Sequence, residues 1–440
     1  MKSIFTPLLY ARDSQIDKVA LLWAARKGQL GTARLAICGQ EAGIINVKCR
    51  NGLTPLAHAA IRGHKAVVKL LLETGKVEVD SNDHFGRTPL SFAAEWGNEA
   101  VVKALLETGK VEVDSNNYYG RTPLSFAAEG GNEAVVKALL ETSKVEVDSK
   151  DSQGLTPLAH AAIRGHKAVV KVLLETGRVQ VDSKNHCGTT PFGHAATHGR
   201  EAVMKVLLET GKVEVDSNDH SGQTPLSYAA TWGNEAVVKM LLETGKVEVD
   251  LKDSQGLTPL VYAAMHGRGA VIKLLLETGK VEVDSNDHSG RTPLSFAAEW
   301  GNEATVKALL ETGKVEVDSN DHPGRTPLSY AAQWGNEAVV KMLLETGKVE
   351  VDSKDSDGLT PLAYAAMHGR EAAVNLLLKT GKVEVDSNDH SGWTLLSYAA
   401  EWGNEAMVKA LLESGKVEVD PKDSQGLNTI GGSGSGQGRS

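Results

Sequence analysis

Cysteine, aromatic side chains and long apolar runs are all scarce in this chain of 440 residues. Its three cysteines, Cys38, Cys49 and Cys187, have no short paired spacing, which excludes a disulfide framework and a cysteine-based zinc site. No stretch approaches the length that spans a bilayer, and the apolar run near Met1 is too short for a signal peptide. We therefore expect no membrane partner and a cytoplasmic location, with the nucleus as the alternative.

Positive charge is also in short supply. The chain has 47 Lys and Arg against 56 Asp and Glu, a net charge of −9, whereas a nucleic-acid binder would show a basic face. Aromatic residues make up 5% of the chain and hydrophobic residues 41%. The aromatic and hydrophobic proportions indicate a thin continuous core of Ala, Val and Leu. The negative net charge argues against a nucleic-acid partner.

What the sequence does have is one pattern repeated along nearly its whole length. A Thr-Pro pair opens each copy and recurs every 34 residues. The pairs begin at Thr54, Thr88, Thr122, Thr156, Thr190, Thr224, Thr258, Thr292, Thr326 and Thr360, and Thr394 opens a weaker copy at the same spacing. Self-similarity at a fixed period indicates a stack of small structural units rather than several globular domains.

The copy at residues 87–113 shows what the first half of a unit encodes. Thr88 is placed to accept a hydrogen bond from an early helical N–H. The proline after it occupies the first helical position, where its missing N–H is not needed. Leu90, Ala93 and Ala94 then share one face of a first helix, and the small alanines allow a neighbouring helix to approach closely.

The second half of the copy predicts another helix and a loop. Gly97 suits a left-handed helix end, and Asn98 is predicted to cap a second helix over Glu99–Glu107. An extended finger follows and closes in a tight turn at Gly120. One such unit cannot bury its own apolar face, but a stack of units can.

Thr-Pro-Leu, Ala-Ala, Gly, Val-Val-Lys and Leu-Leu, in this order and period, resemble the ankyrin repeat over roughly residues 50–427. The resemblance implies an all-α solenoid of stacked helix-turn-helix repeats with β-hairpin-like fingers, in a curved elongated array. Two features depart from the family: Ser91 and Ala57 replace its usual histidine, and the period exceeds the usual value of about 33 residues. More narrowly, the long fingers and near-identical copies resemble the ankyrin arrays of fungal NACHT-type immune receptors.

The pattern predicts three regions along the chain. Residues 1–48 form an N-terminal segment with a capping helix pair, and residues 49–427 hold about eleven repeats and the start of another. Near-identical blocks of three repeats begin at Leu53, Leu155, Leu257 and Leu359. Residues 428–440 form a flexible Gly/Ser tail, which we interpret as an artificial or truncated end. Because no polar capping unit precedes the tail, we expect self-association through this end of the array.

Differences between repeats concentrate at the finger tips, before the capping threonine and at the end of the first helix. In proteins that this chain resembles, the finger tips and the concave groove contact partners. Trp and Arg are also the residues that binding hot spots favour. The predicted partner-binding residues in the groove are Arg62, Trp96, Arg164, His198, Trp232, His266, Trp300, Trp334, His368 and Trp402. On and beside the fingers they are His84, Phe85, Arg87, Tyr118 and Tyr119.

These residue types have other possible roles at the same positions. The tryptophans could instead cover the aliphatic surface of a neighbouring repeat. Phe92, Tyr228, Tyr262 and His58 are interpreted as packing between repeats. The finger histidines and aspartates are interpreted as turn residues, because no ligand spacing for a metal accompanies them. We expect neither a metal nor a cofactor.

The same periodicity argues against catalysis. An active site needs a unique constellation of groups, and here every polar residue that could serve recurs at the repeat spacing. The leading hypothesis is a non-catalytic scaffold that binds a protein through the groove and finger tips, as the recognition region of a fungal immune-like receptor. The alternative is an elastic spacer or self-assembling rod that stacks end to end.

Overall fold

The computed structural model describes residues 14–38 and 42–413. These described residues fall into two compact units, unit 1 up to residue 220 and unit 2 from residue 221 onward. The helices of unit 1 are α1 Ser14–Lys27, α2 Leu30–Ile37, α3 Ala42–Ile45, α4 Pro55–Ile61, α5 Lys65–Glu73, α6 Pro89–Glu95, α7 Glu99–Leu106, α8 Pro123–Gly130, α9 Glu133–Leu140, α10 Pro157–Arg164, α11 Lys167–Glu175, α12 Pro191–Thr197 and α13 Glu201–Glu209.

Unit 2 continues the same alternation of helices. They are α14 Pro225–Trp232, α15 Glu235–Glu243, α16 Pro259–Met265, α17 Gly269–Glu277, α18 Pro293–Glu299, α19 Glu303–Glu311, α20 Pro327–Trp334, α21 Glu337–Glu345, α22 Pro361–Met367, α23 Glu371–Lys379, α24 Leu395–Glu401 and α25 Glu405–Glu413. The predicted Gly/Ser tail, and the further repeat expected to begin near Leu427, lie outside the described residues.

Each first helix begins as the Thr-Pro pair predicts. The Thr88 hydroxyl accepts a hydrogen bond from the Ser91 backbone N–H at 3.2 Å, and the two side-chain oxygens lie 3.1 Å apart. Ser91 is buried, so the serine in place of the family's histidine joins the helix cap. The same bond to the threonine forms at Ala57 and Ala159, where no side-chain hydroxyl is present.

The core is a thin layer between successive repeats. Leu90, Ala93 and Ala94 of the first helix are fully buried, as predicted. In unit 1, α4, α6, α8, α10 and α12 contact one another in sequence, and in unit 2 so do α14, α16, α18, α20, α22 and α24. The second helices also contact one another in sequence within each unit. At the beginning of unit 1, α1 contacts α4 and α2 contacts α5. Each unit is therefore a stack in which neighbours in sequence are neighbours in space.

The fingers are tight turns, and no strand is present in the described part of the chain. In the finger that carries Phe85, the Asp83 backbone N–H donates to the Arg87 carbonyl at 3.0 Å. The Asp83 carboxylate accepts from the backbone N–H groups of Phe85 and Arg87. The next finger adds on through the Tyr118 N–H, which donates to the Phe85 carbonyl at 3.0 Å. Hydrogen bonds thus join one finger to the next.

A ladder of aspartates runs beside the second helices. The Asp80 carboxylate accepts a hydrogen bond at 3.1 Å from the backbone N–H of Glu112 in the next repeat. Burial raises the pKa of Asp80, because its second carboxylate oxygen is buried without a partner among the described residues. The pKa of Asp284 is raised for the same reason, so both units carry this feature.

Candidate functional site

The residue at the end of each first helix lies outside the core and forms what we term the row. The unit 1 row consists of Arg62, Trp96, Gly130, Arg164 and His198. The unit 2 row consists of Trp232, His266, Trp300, Trp334, His368 and Trp402. The five tryptophans are between 51% and 68% exposed, so most of each side chain is open to solvent.

The position of the row follows from the helix geometry. Trp232 and Trp334 are the last residues of their helices, and the other row tryptophans follow their helices directly. Ala93 and Ala94 face the core, and the turn of the helix carries Trp96 past that face. Since consecutive first helices contact one another within each unit, row residues of adjacent repeats are about 8–10 Å apart.

The unit 1 row is polar and basic. The Arg164 guanidinium contacts the Glu129 carboxylate of the preceding repeat at 2.7 Å, and Arg121 contacts the same carboxylate. Burial would raise the pKa of Glu129, but these two guanidinium groups hold it below its ordinary value. Arg62 and His198 are exposed, and the His198 ring is oriented by a 2.9 Å hydrogen bond to the His194 carbonyl.

Arg87 is partly exposed and makes several contacts within its own repeat. Its guanidinium lies 3.1 Å from the Asp83 carboxylate and 3.6 Å from that of Glu95. It also stacks over the rings of Phe92 and Phe85, at 4.3 and 5.7 Å from their centroids. The structure thus gives Arg87 an internal role, joining a finger to the first helix of its repeat.

The four predicted finger-tip residues are exposed and adjacent. His84 and Phe85 lie on one finger, and Tyr118 and Tyr119 lie on the next. Tyr118 crosses directly over Gly86, whose φ is +80°, and a Cβ added there would lie 2.9 Å from the tyrosine ring. The glycine therefore allows this finger to take the turn and the two aromatic tips to approach each other.

The aromatic position four residues before the row is structural, as interpreted from the sequence. Phe92 and Tyr262 are buried. In several repeats the side chain here bonds the turn aspartate: the His160 ring lies 2.9 Å from Asp151, and the Tyr262 hydroxyl donates to Asp253 at 2.5 Å. Burial raises the pKa of Tyr330, which makes the same bond.

Three histidines occupy this position in unit 1. Burial lowers the pKa of each of them, His58, His160 and His194. The effect is largest at His194, where burial, followed by the nearby His198 and His160, lowers the pKa to about 4. The lowered pKa values favour the neutral form at pH 7, and the rings of His160 and His194 also contact the turn residues Asp151 and Asn185.

The family is decided by the pattern of repeats. A family model described as ankyrin repeats (3 copies) matches residues 21–118, 109–185, 177–253, 214–287, 245–321, 280–355 and 347–423. The chain belongs to the ankyrin-repeat family. Ankyrin-repeat arrays are in general protein–protein interaction modules and are typically non-catalytic scaffolds.

Individual ankyrin-repeat proteins are similar to parts of this chain. Ankyrin repeat domain-containing protein SOWAHB of Xenopus laevis is 42% identical over 91 residues, which cover 20% of this chain and 11% of that protein. The structure of the human ASB11 ankyrin repeat domain is 32% identical, with a TM-score of 0.47, and the match covers 51% of this chain and 97% of that one.

A clasp between ankyrin repeats was missed by the sequence reasoning. Asn98 does not cap its helix; its side-chain amide donates to the carbonyls of Ala60 and Ile61, at 2.7 and 3.2 Å, in the preceding repeat. We term this contact the clasp. The residues that make it by a side-chain donor include His64, Asn98, Asn132, His166, Arg200, Arg268, Asn302, Asn336 and Arg370.

The clasp explains why Asn, His and Arg alternate at one position of the repeat. Each supplies an N–H that reaches carbonyls at the end of a first helix, where the regular helical hydrogen bonds stop. The glycine of the preceding ankyrin repeat makes room: a Cβ on Gly97, whose φ is +69°, would lie 2.5 Å from the Asn132 amide oxygen. The signal in the sequence was the shared donor chemistry of these three residue types.

Two further classes of site are not found among the described residues. No group of three or more His, Cys, Asp or Glu side chains there could hold a metal ion. Within the same ranges, no helix is long and apolar enough to cross a membrane.

Proposed function

We propose that this ankyrin array binds another protein through the row and the aromatic finger tips. The observation that carries the proposal is the set of large, exposed row side chains in unit 2, where four tryptophans share one face of the stack. Exposed tryptophans are costly in a surface that has no partner, and they are the residues that dominate binding hot spots. His84, Phe85, Tyr118 and Tyr119 supply a second aromatic contact in unit 1.

For its biological context, we propose that the array is the recognition region of a cytoplasmic receptor of the fungal NACHT type. Near-identical repeats that differ mainly on the row support this role, because a recognition protein must change its specificity without changing its frame.

Selection from a displayed library of random peptides tests the binding proposal. We expect wild-type protein to enrich peptides that a variant with Trp232, Trp300, Trp334 and Trp402 replaced by alanine no longer holds. A matched control replaces four exposed lysines on the second helices, Lys239, Lys307, Lys341 and Lys409, and should retain binding. Equal binding by all three proteins would contradict the proposal.

An apolar depression on α24 and α25 favours a second candidate function, end-to-end self-association. It encloses about 520 Å³ and is lined in part by Ala399, Ala400, Val408 and Leu412, and Leu412 is exposed. Light scattering against concentration would test it. Association that Leu412→Lys abolishes would support the rod, whereas a monomer at all concentrations would contradict it.

A further inference from the structure

We propose that the unit 2 row binds a proline-rich, basic segment in the polyproline II conformation, with one turn of ligand for each repeat. This inference rests on the proposed function and adds the chemistry of the partner. Three observations carry it: the spacing of the row, the state of its indole N–H groups and the charge beside it.

The spacing of the row matches the pitch of polyproline II. Adjacent first helices of unit 2 contact one another from α14 to α24, which sets a spacing of about 8–10 Å along the row. A polyproline II helix rises about 3.1 Å per residue with three residues per turn, so every third residue faces the same side about 9.3 Å further on. An extended strand places every third residue on its opposite face. A ligand of period three can therefore offer one side chain to each repeat.

The indole N–H groups favour a ligand with free carbonyls. Among the described residues, Trp232, Trp300 and Trp334 donate no hydrogen bond from their rings to the protein. A polyproline II segment has no internal hydrogen bonds, so its carbonyls can accept from these donors. An α-helix also repeats at about 10.5 Å over seven residues, but its own N–H groups occupy its carbonyls. Aromatic-lined surfaces are the usual sites for proline-rich segments.

Charge beside the row selects a basic ligand. The first residue of each second helix lies three residues beyond the row and is an exposed glutamate in most repeats of unit 2. These residues are Glu235, Glu303, Glu337, Glu371 and Glu405. Arg268 and Arg370, which directly precede second helices, are held in the clasp. Lysine or arginine on the ligand would meet these carboxylates and the faces of the tryptophans.

Titration calorimetry with synthetic peptides tests the inference on the full chain. The probe is a twelve-residue peptide that repeats Pro-Pro-Arg four times. We expect Trp300→Ala and Trp334→Ala each to weaken its binding about tenfold, the size typical of a hot-spot residue. The matched control is Trp393→Ala, because Trp393 lies on a finger with its ring 5.4 Å from that of Tyr398; it should leave affinity within about twofold.

Three further peptides separate the sources of affinity. A single glycine inserted after the second Pro-Pro-Arg should weaken binding about tenfold, because it breaks the period of three. Replacing arginine by glutamate should weaken binding at least as much, because the carboxylates beside the row would then repel the ligand. Replacing every proline by alanine, which favours an α-helix, should also weaken it at least tenfold.

Each contrary result has a definite meaning. Equal, tryptophan-dependent binding of the alanine peptide would overturn the polyproline II ligand while leaving protein binding by the row intact. Absence of any binding, or binding that survives both row substitutions, would also overturn the inference. The proposed function would then stand or fall by the library selection, in which tryptophan-dependent peptides without proline would identify a different ligand.

Discussion

The two units share one scaffold of threonine caps, clasps and finger turns, which we term the frame, but they carry different row residues. In unit 1 the row is basic and polar, with Arg62, Arg164 and His198 around a single tryptophan. In unit 2 it holds four tryptophans and two histidines beside exposed glutamates. The clasp, the threonine caps and the finger turns recur in both units. Because none of these contacts needs a row side chain, the row can change in chemistry while the frame is conserved in geometry.

A second contrast lies one helical turn inside the row. The aromatic position holds His58, His160 and His194 in unit 1, whereas in unit 2 it holds only tyrosine and phenylalanine. A buried histidine resists protonation, but a tyrosine or phenylalanine at the same place does not titrate in this range. The two units should therefore respond differently to acid.

The largest expected effect is selective acid destabilisation of unit 1. His194 has a folded pKa of about 4 against an unfolded value of 6.5, so its stabilisation is present above pH 6.5 and is lost as the pH falls toward 4. The loss from His194 alone is about 3 kcal/mol. Hydrogen exchange with mass spectrometry, corrected for intrinsic rates, should show unit 1 losing protection before unit 2.

The control for acid sensitivity uses residues that the chain itself supplies. In the variant H58F/H160Y/H194F, phenylalanine reproduces the Phe92 environment and tyrosine can bond Asp151 as Tyr262 bonds Asp253. The raised pKa values of the aspartate ladder act in the opposite sense, since that stabilisation is lost as the pH rises. They occur in both units, so equal acid sensitivity of wild type and variant would refute the histidine explanation.

The clasp should matter equally in both units. Asn132→Ala and Asn336→Ala each remove two hydrogen bonds to carbonyls of the preceding repeat. We expect each to lower the free energy of unfolding by about 1–3 kcal/mol in urea titrations. Substitution of Asn336 by histidine or arginine should restore most of the loss, since His166 and Arg370 make the contact elsewhere. A loss in one unit only would show that the frame is not shared.

A smaller effect is expected where one residue breaks the shared frame. Thr305 is fully buried and its hydroxyl has no hydrogen-bond partner among the described residues. Valine occupies the equivalent place at Val101. Thr305→Val should raise the midpoint of urea unfolding, by about 1 kcal/mol in free energy, and Val101→Thr should lower it by a similar amount. If both changes proved neutral, the hydroxyl would have a partner in solution.

The smallest effect on stability is expected on the row itself. Arg164→Trp gives a unit 1 repeat the row residue of unit 2 and removes the exposed ion pair with Glu129. Since exposed pairs are worth little, the free energy of unfolding should change by less than about 0.5 kcal/mol. Thermal unfolding would check it. A loss of several degrees would mean that row residues support the frame.

The repeat and its helices could be predicted from the sequence because their signals are local. The Thr88 cap and the buried face of Leu90, Ala93 and Ala94 depend on residues within one helix. The second helix ends at Leu106, one residue earlier than predicted. Near that end Ala104 is buried, whereas Leu106 is only partly buried.

The prediction for the Asn98 side chain was wrong because its partners are set by tertiary structure. Asn98 was predicted to cap its own helix, but the carbonyls it bonds belong to a repeat 37 and 38 residues away in sequence. The finger turn also places Asp83 and the Phe92 ring within reach of Arg87, and the predicted contact of Arg87 with a partner stays a prediction. The exposure of the other predicted site residues agrees with the sequence reasoning, and their role in binding stays a prediction.

The clasp also bears on how such a protein changes over generations. Its bonds reach only the adjoining repeat, and any of three residue types completes them. Unequal crossing-over can occur between the blocks that begin at Leu53, Leu155, Leu257 and Leu359. Each new junction would then bring together two repeat surfaces that already pack against each other elsewhere in the chain. A single genetic event could add or remove a set of row side chains and still yield a foldable chain.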